Sequence, residues 1–257
     1  GHPDTTNSAI QILKQGGNAF DAILAAAFTS CLAEPAFSSL GGGGFLLGHH
    51  FEKKHDFICD FFCDIPGKGL INPPKAQLDT AKLHFSGGEQ IFYVGMGSIA
   101  VPSCLRGFAD IYEQHCTMDL TDILAPALTV LEKGAQLSSK QKYMFSVVRS
   151  ILERSPYGKE IYNFNKHNRL YNPLLQEFFK KADFSVWLKT LYTKEGAKDF
   201  LKDVESGGGR VSAKDLTEYK SINREAISVD YSNYTIVSNP PPAFGGAGAT
   251  GGFGGGA

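Results

Sequence analysis

The stretch Glu34-Pro35-Ala36-Phe37-Ser38-Ser39-Leu40-Gly41-Gly42-Gly43-Gly44-Phe45-Leu46-Leu47, following closely on Gly16-Gly17-Asn18-Ala19-Phe20-Asp21-Ala22, decides how this chain is read. Four consecutive glycines separate an alanine-rich pattern of helical period from an apolar run. Backbone without side chains has wide φ/ψ freedom and can approach its neighbours closely, so the run predicts a tightly packed passage from helix to strand. A flexible linker would have polar, low-complexity flanks, and these flanks are strongly patterned.

Upstream, Asn7 or Ser8 is placed to cap a first short helix whose Ile10 and Leu13 face inward and which stops at Gly16-Gly17. Asn18 restarts the chain as an N-cap. Phe20, Ile23, Leu24, Ala27, Phe28, Cys31 and Leu32 recur at helical spacing and predict a core helix closed by Pro35. Downstream, 45–51 and 57–62 predict two strands joined by the turn Glu52-Lys53-Lys54, an antiparallel hairpin with one face on that helix. Residues 67–93 carry no sustained period, and Pro73-Pro74 with Gly87-Gly88 predict an excursion over the surface.

Helical period returns with Leu105, Phe108, Ala109 and Tyr112, then with Ile123, Leu124, Ala127, Leu128 and Leu131 up to Gly134, and the pattern stays mainly helical over 138–201. Ser212-Ala213-Lys214-Asp215 has the capping-box form and opens a short helix carrying Leu216 and Tyr219. Alternation in 226–231 and 234–237 predicts sheet strands leading into Pro240-Pro241-Pro242-Ala243-Phe244-Gly245-Gly246. Residues 1–246 read as part of a single domain. Residues 247–257 are too poor in side chains to bury a core, and read as a disordered tail or an artefact of an incompletely known sequence.

The chain has 257 residues, 42% of them hydrophobic and 20% charged, with a formal net charge of −1. That length supports a full core, and the dispersed, balanced charge gives no footprint for nucleic acid or an anionic membrane. A small molecule or peptide is the expected partner. No window approaches about eighteen consecutive apolar residues, so no membrane span is expected. The opening Gly1-His2-Pro3-Asp4 lacks a basic and then apolar leader, which favours a cytoplasmic location, or a periplasmic or secreted one if a leader has been removed.

Five cysteines form an odd set without a C-x-x-C pair, which predicts buried thiols rather than a disulfide framework or zinc site. Cys59 and Cys63 on one strand face would stand roughly 13 Å apart, too far to share a metal. His49, His50 and His55 read as strand and turn residues. No metal site and no organic cofactor is expected. Ser38-Ser39 and Ser103 lack an adjacent base and a G-x-S-x-G elbow, so no triad can be argued, and the acidic clusters read as solvated faces.

Four blocks in order, Gly16 to Ala22, Gly41 to Leu47, Gly97-Ser98-Ile99-Ala100-Val101-Pro102 with Gly107-Phe108, and Pro240-Pro241-Pro242 with Gly245-Gly246, resemble the γ-glutamyltransferase family. The run Gly208-Gly209-Arg210-Val211-Ser212-Ala213-Lys214-Asp215-Leu216 resembles a fifth, and together they span almost all of the patterned chain. The resemblance implies an α+β, four-layer αββα N-terminal-nucleophile hydrolase fold, of which this chain supplies the large-subunit portion. It implies a precursor that cuts itself, freeing a threonine at the start of a small subunit as nucleophile and, through its α-amine, as general base. An α-amine with an unperturbed pKa of about 7.7–8.0 suits that task at neutral pH.

No catalytic residue is therefore expected in this chain: Thr5, Thr6 and Thr250 match no processing junction, and the implied partner is the small subunit carrying the catalytic Thr. The implied activity is acyl transfer or hydrolysis on an amide of a γ-glutamyl or related acyl compound. The alternative is a catalytically silent homologue that binds or scaffolds. A free-standing module of this length would leave sheet edges unpaired. Assembly into a higher oligomer stays open.

One departure concerns substrate. Where the resemblance implies Asp-Phe-Arg, with the arginine clamping the α-carboxylate of the γ-glutamyl group, this chain has Asp60-Phe61-Phe62, followed by Cys63-Asp64-Ile65-Pro66. Strand alternation would set Asp60, Phe62 and Asp64 on one face, a ring between two carboxylates. Phe62, with Asp60 and Asp64, is thus the candidate substrate-binding set. Either the acyl group lacks an α-carboxylate, or a cation comes from elsewhere in the chain, or a local register shift gives the clamp to Arg106 or another basic residue.

Overall fold

Asn18 sets the frame in the computed structural model, which describes residues 1–162, 168–245 and 248. Its Oδ1 accepts from the Phe20 and Asp21 amides at 2.7 and 2.9 Å, and Asp21 Oδ2 accepts from the Asn18 amide at 2.8 Å, a reciprocal cap that starts α2 (Ala19–Ala33). Asp21 also accepts from the Thr117 amide and hydroxyl and from the Met118 amide, which ties the start of α2 to the turn between α3 (Cys104–His115) and α4 (Leu120–Lys133). Burial pushes this carboxyl up, and the hydrogen bonds from Thr117, Asn18 and Met118 outweigh it, so the group stays below its ordinary value.

The first helix, α1 (Pro3–Lys14), begins earlier than Asn7 or Ser8: His2 Nδ1 accepts from the Asp4 amide at 3.1 Å, and Pro3 fills the first turn. Its inward face is also different. Ser8 meets Thr29 of α2 through a buried 2.8 Å hydroxyl pair and Ile12 is fully buried, which leaves Ile10 and Leu13 43% and 52% exposed. The expected turn at its end is present, with Gly16 at φ 92°.

Beyond the glycines, β1 (Gly44–His50) and β2 (His55–Phe61) form the expected antiparallel hairpin. The far edge of β2 is taken by β7 (Ile222–Glu225), a strand that the sequence did not announce, giving the order β1-β2-β7. The segment read as a surface excursion holds a second hairpin, β3 (Asp79–Phe85) with β4 (Gly88–Val94), in which Ala81 and Leu83 turn inward and Gly87-Gly88 lie at its turn. A short pair, β5 (Ala135–Gln136) with β6 (Arg169–Leu170), brackets α5 (Ser139–Leu152) and α6 (Pro156–Ile161). After them come α7 (Pro173–Lys180), α8 (Phe184–Tyr192), α9 (Lys198–Ser206) and α10 (Ala213–Glu218), the last opened by the expected Ser212–Asp215 capping box. A final hairpin joins β8 (Ile227–Tyr231) to β9 (Tyr234–Ser238).

The main core lies between the helices and one face of the sheet: Phe28 packs edge-on against Phe108 and Phe179, with Trp187 beside them, and Cys59 and Phe61 reach in from β2. Among the described residues no helix is long and apolar enough to cross a membrane. Gly246 and, apart from Gly248, the expected tail over 247–257 with Thr250 lie outside the described residues.

Candidate functional site

The glycine run, the end of β2 and the start of α3 meet at one place. Gly42 O accepts from the Ser103 and Cys104 amides at 3.0 and 2.8 Å and from the Ser103 hydroxyl at 2.9 Å, which docks α3 onto the glycine turn. A Cβ on Gly43 would stand 2.7 Å from both Cys63 N and Ser103 Oγ, so only glycine lets the chain leaving β2 pass here. None of Gly41 to Gly44 is at positive φ. Close approach, rather than unusual backbone conformation, is what this run supplies.

That passage ends the strand. β2 stops at Phe61, Cys63 turns onto Gly43, and Asp64 O pairs with the Val101 amide at 3.1 Å. The alternation expected through Asp60, Phe62 and Asp64 therefore does not continue, and Cys63 does not share a strand face with Cys59. The three candidate residues have separate environments. Asp60 is 5% exposed, its Oδ1 accepting from the Phe62 amide at 2.9 Å and its Oδ2 from Arg224 Nε at 2.6 Å. Phe62 is 49% exposed and stacks on Phe45, ring centroids 5.4 Å apart and 17° from parallel. Asp64 is ion-paired to Lys68 at 2.8 Å, and that hydrogen bond holds the Lys68 ammonium above its ordinary value.

The loop behind them is fixed from α10. Asp215, almost fully buried, accepts from the Gly67 and Lys68 amides at 2.9 Å each and from the Ser212 amide at 2.7 Å. Tyr219 Oη donates to Phe62 O at 3.0 Å, and burial pushes its hydroxyl up, so it serves as a neutral donor. The ring between two carboxylates is thus a ring beside two ion pairs.

Beside this end of the sheet lies a cleft of about 270 Å³ lined by Ser30, Ser38, Ser39, Gly43 and Cys104 among others. Burial pushes the Cys31 and Cys104 thiols up to about 12, which makes them poor nucleophiles at neutral pH. Ser38 Oγ donates to Ser30 Oγ and Ser103 Oγ to Gly42 O; Thr5 Oγ1 reaches Glu34 and Thr6 Oγ1 its own helix at His2 O. His49 pairs with Asp56, and His50 stacks on Phe57 next to His115. Among the described residues no group of three or more His, Cys, Asp or Glu is placed to hold a metal ion.

Arg106 is held by Asp110 at 2.9 Å, and Ser221 Oγ donates to the same carboxylate. The cation found beside Asp60 is Arg224, 164 residues away in sequence. Nothing local in Ile222-Asn223-Arg224-Glu225 announces it, because the segment becomes a strand only by pairing with β2.

With a helical layer on one face of an antiparallel sheet, this mixed α+β chain shares the fold of gamma-glutamyltranspeptidases and related N-terminal-nucleophile hydrolases, of which it supplies the large-subunit portion. The solved gamma-glutamyltranspeptidase of Helicobacter pylori superposes with a TM-score of 0.76 at 24% identity, over 95% of this chain and 70% of that one. The gamma-glutamyltranspeptidase family model matches residues 5–251. The chain belongs to the gamma-glutamyltranspeptidase family. It is 27% identical to a glutathione hydrolase proenzyme of Bacillus subtilis (strain 168), over 95% of this chain and 41% of that protein. It is 26% identical to an acylase ACY 1 proenzyme of Pseudomonas sp. (strain SE83), over 94% of this chain and 44% of that protein. The chain thus spans less than half the length of these relatives.

Proposed function

We propose that this chain is the large-subunit part of a γ-glutamyltransferase-like acyltransferase or amidohydrolase, in which a small subunit cut from the same precursor brings the nucleophilic threonine. The observation that carries this reading is the outer face of the β1-β2-β7 sheet. Phe45, Leu47, Phe62 and Ile222 present apolar surface there around the Asp60–Arg224 ion pair, as a layer does that packs against a second sheet. The names of the relatives, glutathione hydrolase and acylase, support an amide of a γ-glutamyl or other acyl group as substrate. Processing of a precursor fits the same names.

Phe62 supports a change in acyl recognition within this reading. A charge-assisted hydrogen bond is worth roughly 1.5–3 kcal/mol, and a phenyl ring supplies none of it. The same residue favours the second reading, a homologue that binds without turning over. Incubating the complete gene product with γ-glutamyl-, glutaryl- and butyryl-p-nitroanilide separates the two: release of p-nitroaniline from any of them supports the enzyme, and no release from all three supports the silent homologue.

A further inference from the structure

Arg224 is held in an unusual way for a residue at the rim of an open sheet face. Its Nε donates to Asp60 Oδ2 at 2.6 Å, and among the described residues neither of its terminal nitrogens has a hydrogen-bond partner. The anchoring carboxylate is buried, and its other oxygen accepts from the Phe62 amide, so one carboxylate fixes the guanidinium across from the Phe62 backbone. Ile58, directly opposite Arg224 in the β2–β7 register, is fully buried, so the stem rests on apolar strand while a third of the side chain stays exposed. A guanidinium pinned through Nε presents its remaining N–H groups as a planar fork that matches a carboxylate.

We infer that Arg224, positioned by Asp60, binds the terminal carboxylate of an acyl group whose chain lies along the Phe45–Phe62 ring pair. The inference rests on the acyl-group reading of this site and goes beyond it by naming the ligand chemistry. Both neighbouring carboxylates are already paired, Asp60 with Arg224 and Asp64 with Lys68, so neither invites an ammonium group. Arg106 is committed to Asp110 and does not compete for the role. The rings supply an exposed, flat apolar surface next to the fork. The preferred acyl group is therefore an apolar chain ending in a carboxylate.

Removing Arg224 outright would leave Asp60 buried without its cation, so the informative variants are Arg224→Lys, which keeps the charge and loses the fork, and the Asp60→Asn/Arg224→Gln pair, which keeps a neutral hydrogen bond. The complete protein, wild type and variants, is titrated calorimetrically with glutaric acid monoamide and with butyramide, which differ by the terminal carboxylate. The inference expects wild-type protein to prefer the monoamide, and Arg224→Lys to reduce that preference about tenfold or more, with the double variant abolishing it. Equal weakening of both ligands would mean that Arg224 only supports the fold, and would overturn the inference, as would wild-type protein that binds neither or shows no preference. Because binding is read without turnover, carboxylate-selective binding by a protein inactive on every p-nitroanilide keeps this inference and removes the enzyme reading.

Discussion

Cys59 and Phe61 leave β2 toward the helices and are almost fully buried, whereas Leu47 and Ile222, on the opposite face of the same sheet, are 41% and 50% exposed. The helical side is closed by large rings, Phe28, Phe108, Phe179 and Trp187, at mutual edge and face distances of 5.1 to 6.1 Å. The outer side carries the exposed Leu47 and Ile222 around the buried Ile58 and the Asp60–Arg224 ion pair. A sheet face whose centre is buried, at Ile58 and Asp60, while its apolar margins at Leu47 and Ile222 stay exposed is the kind of surface that a second layer would complete under the proposed reading.

Substitutions in the complete gene product can break this comparison. Phe28→Ala removes a fully buried ring from the helical side and is expected to cost about 3–5 kcal/mol, read from the urea midpoint. Leu47→Ala, on the outer face, decides whether a second layer covers it: a loss of about 2 kcal/mol or more is expected if so, while a change within about 0.5 kcal/mol would show the face open to solvent.

Asp21→Ala should cost about 2 kcal/mol, because the carboxylate links the cap of α2 to the Thr117–Met118 turn. Its folded value is depressed, so the unfolded chain takes up the proton first as pH falls. The advantage of wild type over Asp21→Ala is then complete above the ordinary value of 3.8 and shrinks as pH drops through the lower folded value, which acid titration of both proteins measures.

The signature Gly16 to Ala22 and the hairpin after the glycines were legible because caps, period and turn residues are local signals. The start of α1 was not, since His2 is an uncommon cap and the buried Ser8–Thr29 pair rotates the helix away from its apolar residues. β3 was missed because its inward face begins with the small Ala81 between Thr80 and Lys82, and β4 because Ile91-Phe92-Tyr93-Val94 is a continuous run without alternation. At the candidate site the sequence offered Asp60, Phe62 and Asp64 as candidates, but neither the end of β2 at Phe61 nor Arg224 was legible, because both depend on contacts between distant segments.

Smaller effects sharpen the same contrast at the sheet's two ends. Phe62→Arg puts a second guanidinium at the open end and is expected to improve kcat/KM or affinity for γ-glutamyl-p-nitroanilide roughly tenfold relative to the butyryl analogue, about 1.4 kcal/mol. No relative gain would count against a lost clamp. At the closed end, burial, His50 and Lys53 hold His115 below its ordinary 6.5, among the rings of Phe20, His50 and Phe57. The unfolded chain then binds that proton before the folded one does, so stability falls as pH drops below about 6.5, and His115→Phe should flatten this slope, the smallest of these effects.

The central claim is that this chain is one part of a two-part N-terminal-nucleophile enzyme, and the intact mass and N-terminal sequence of every polypeptide made from the complete gene, resolved under denaturing conditions after incubation, test it most directly. The account predicts a second, smaller chain beginning with threonine; a single chain that stays intact would contradict it.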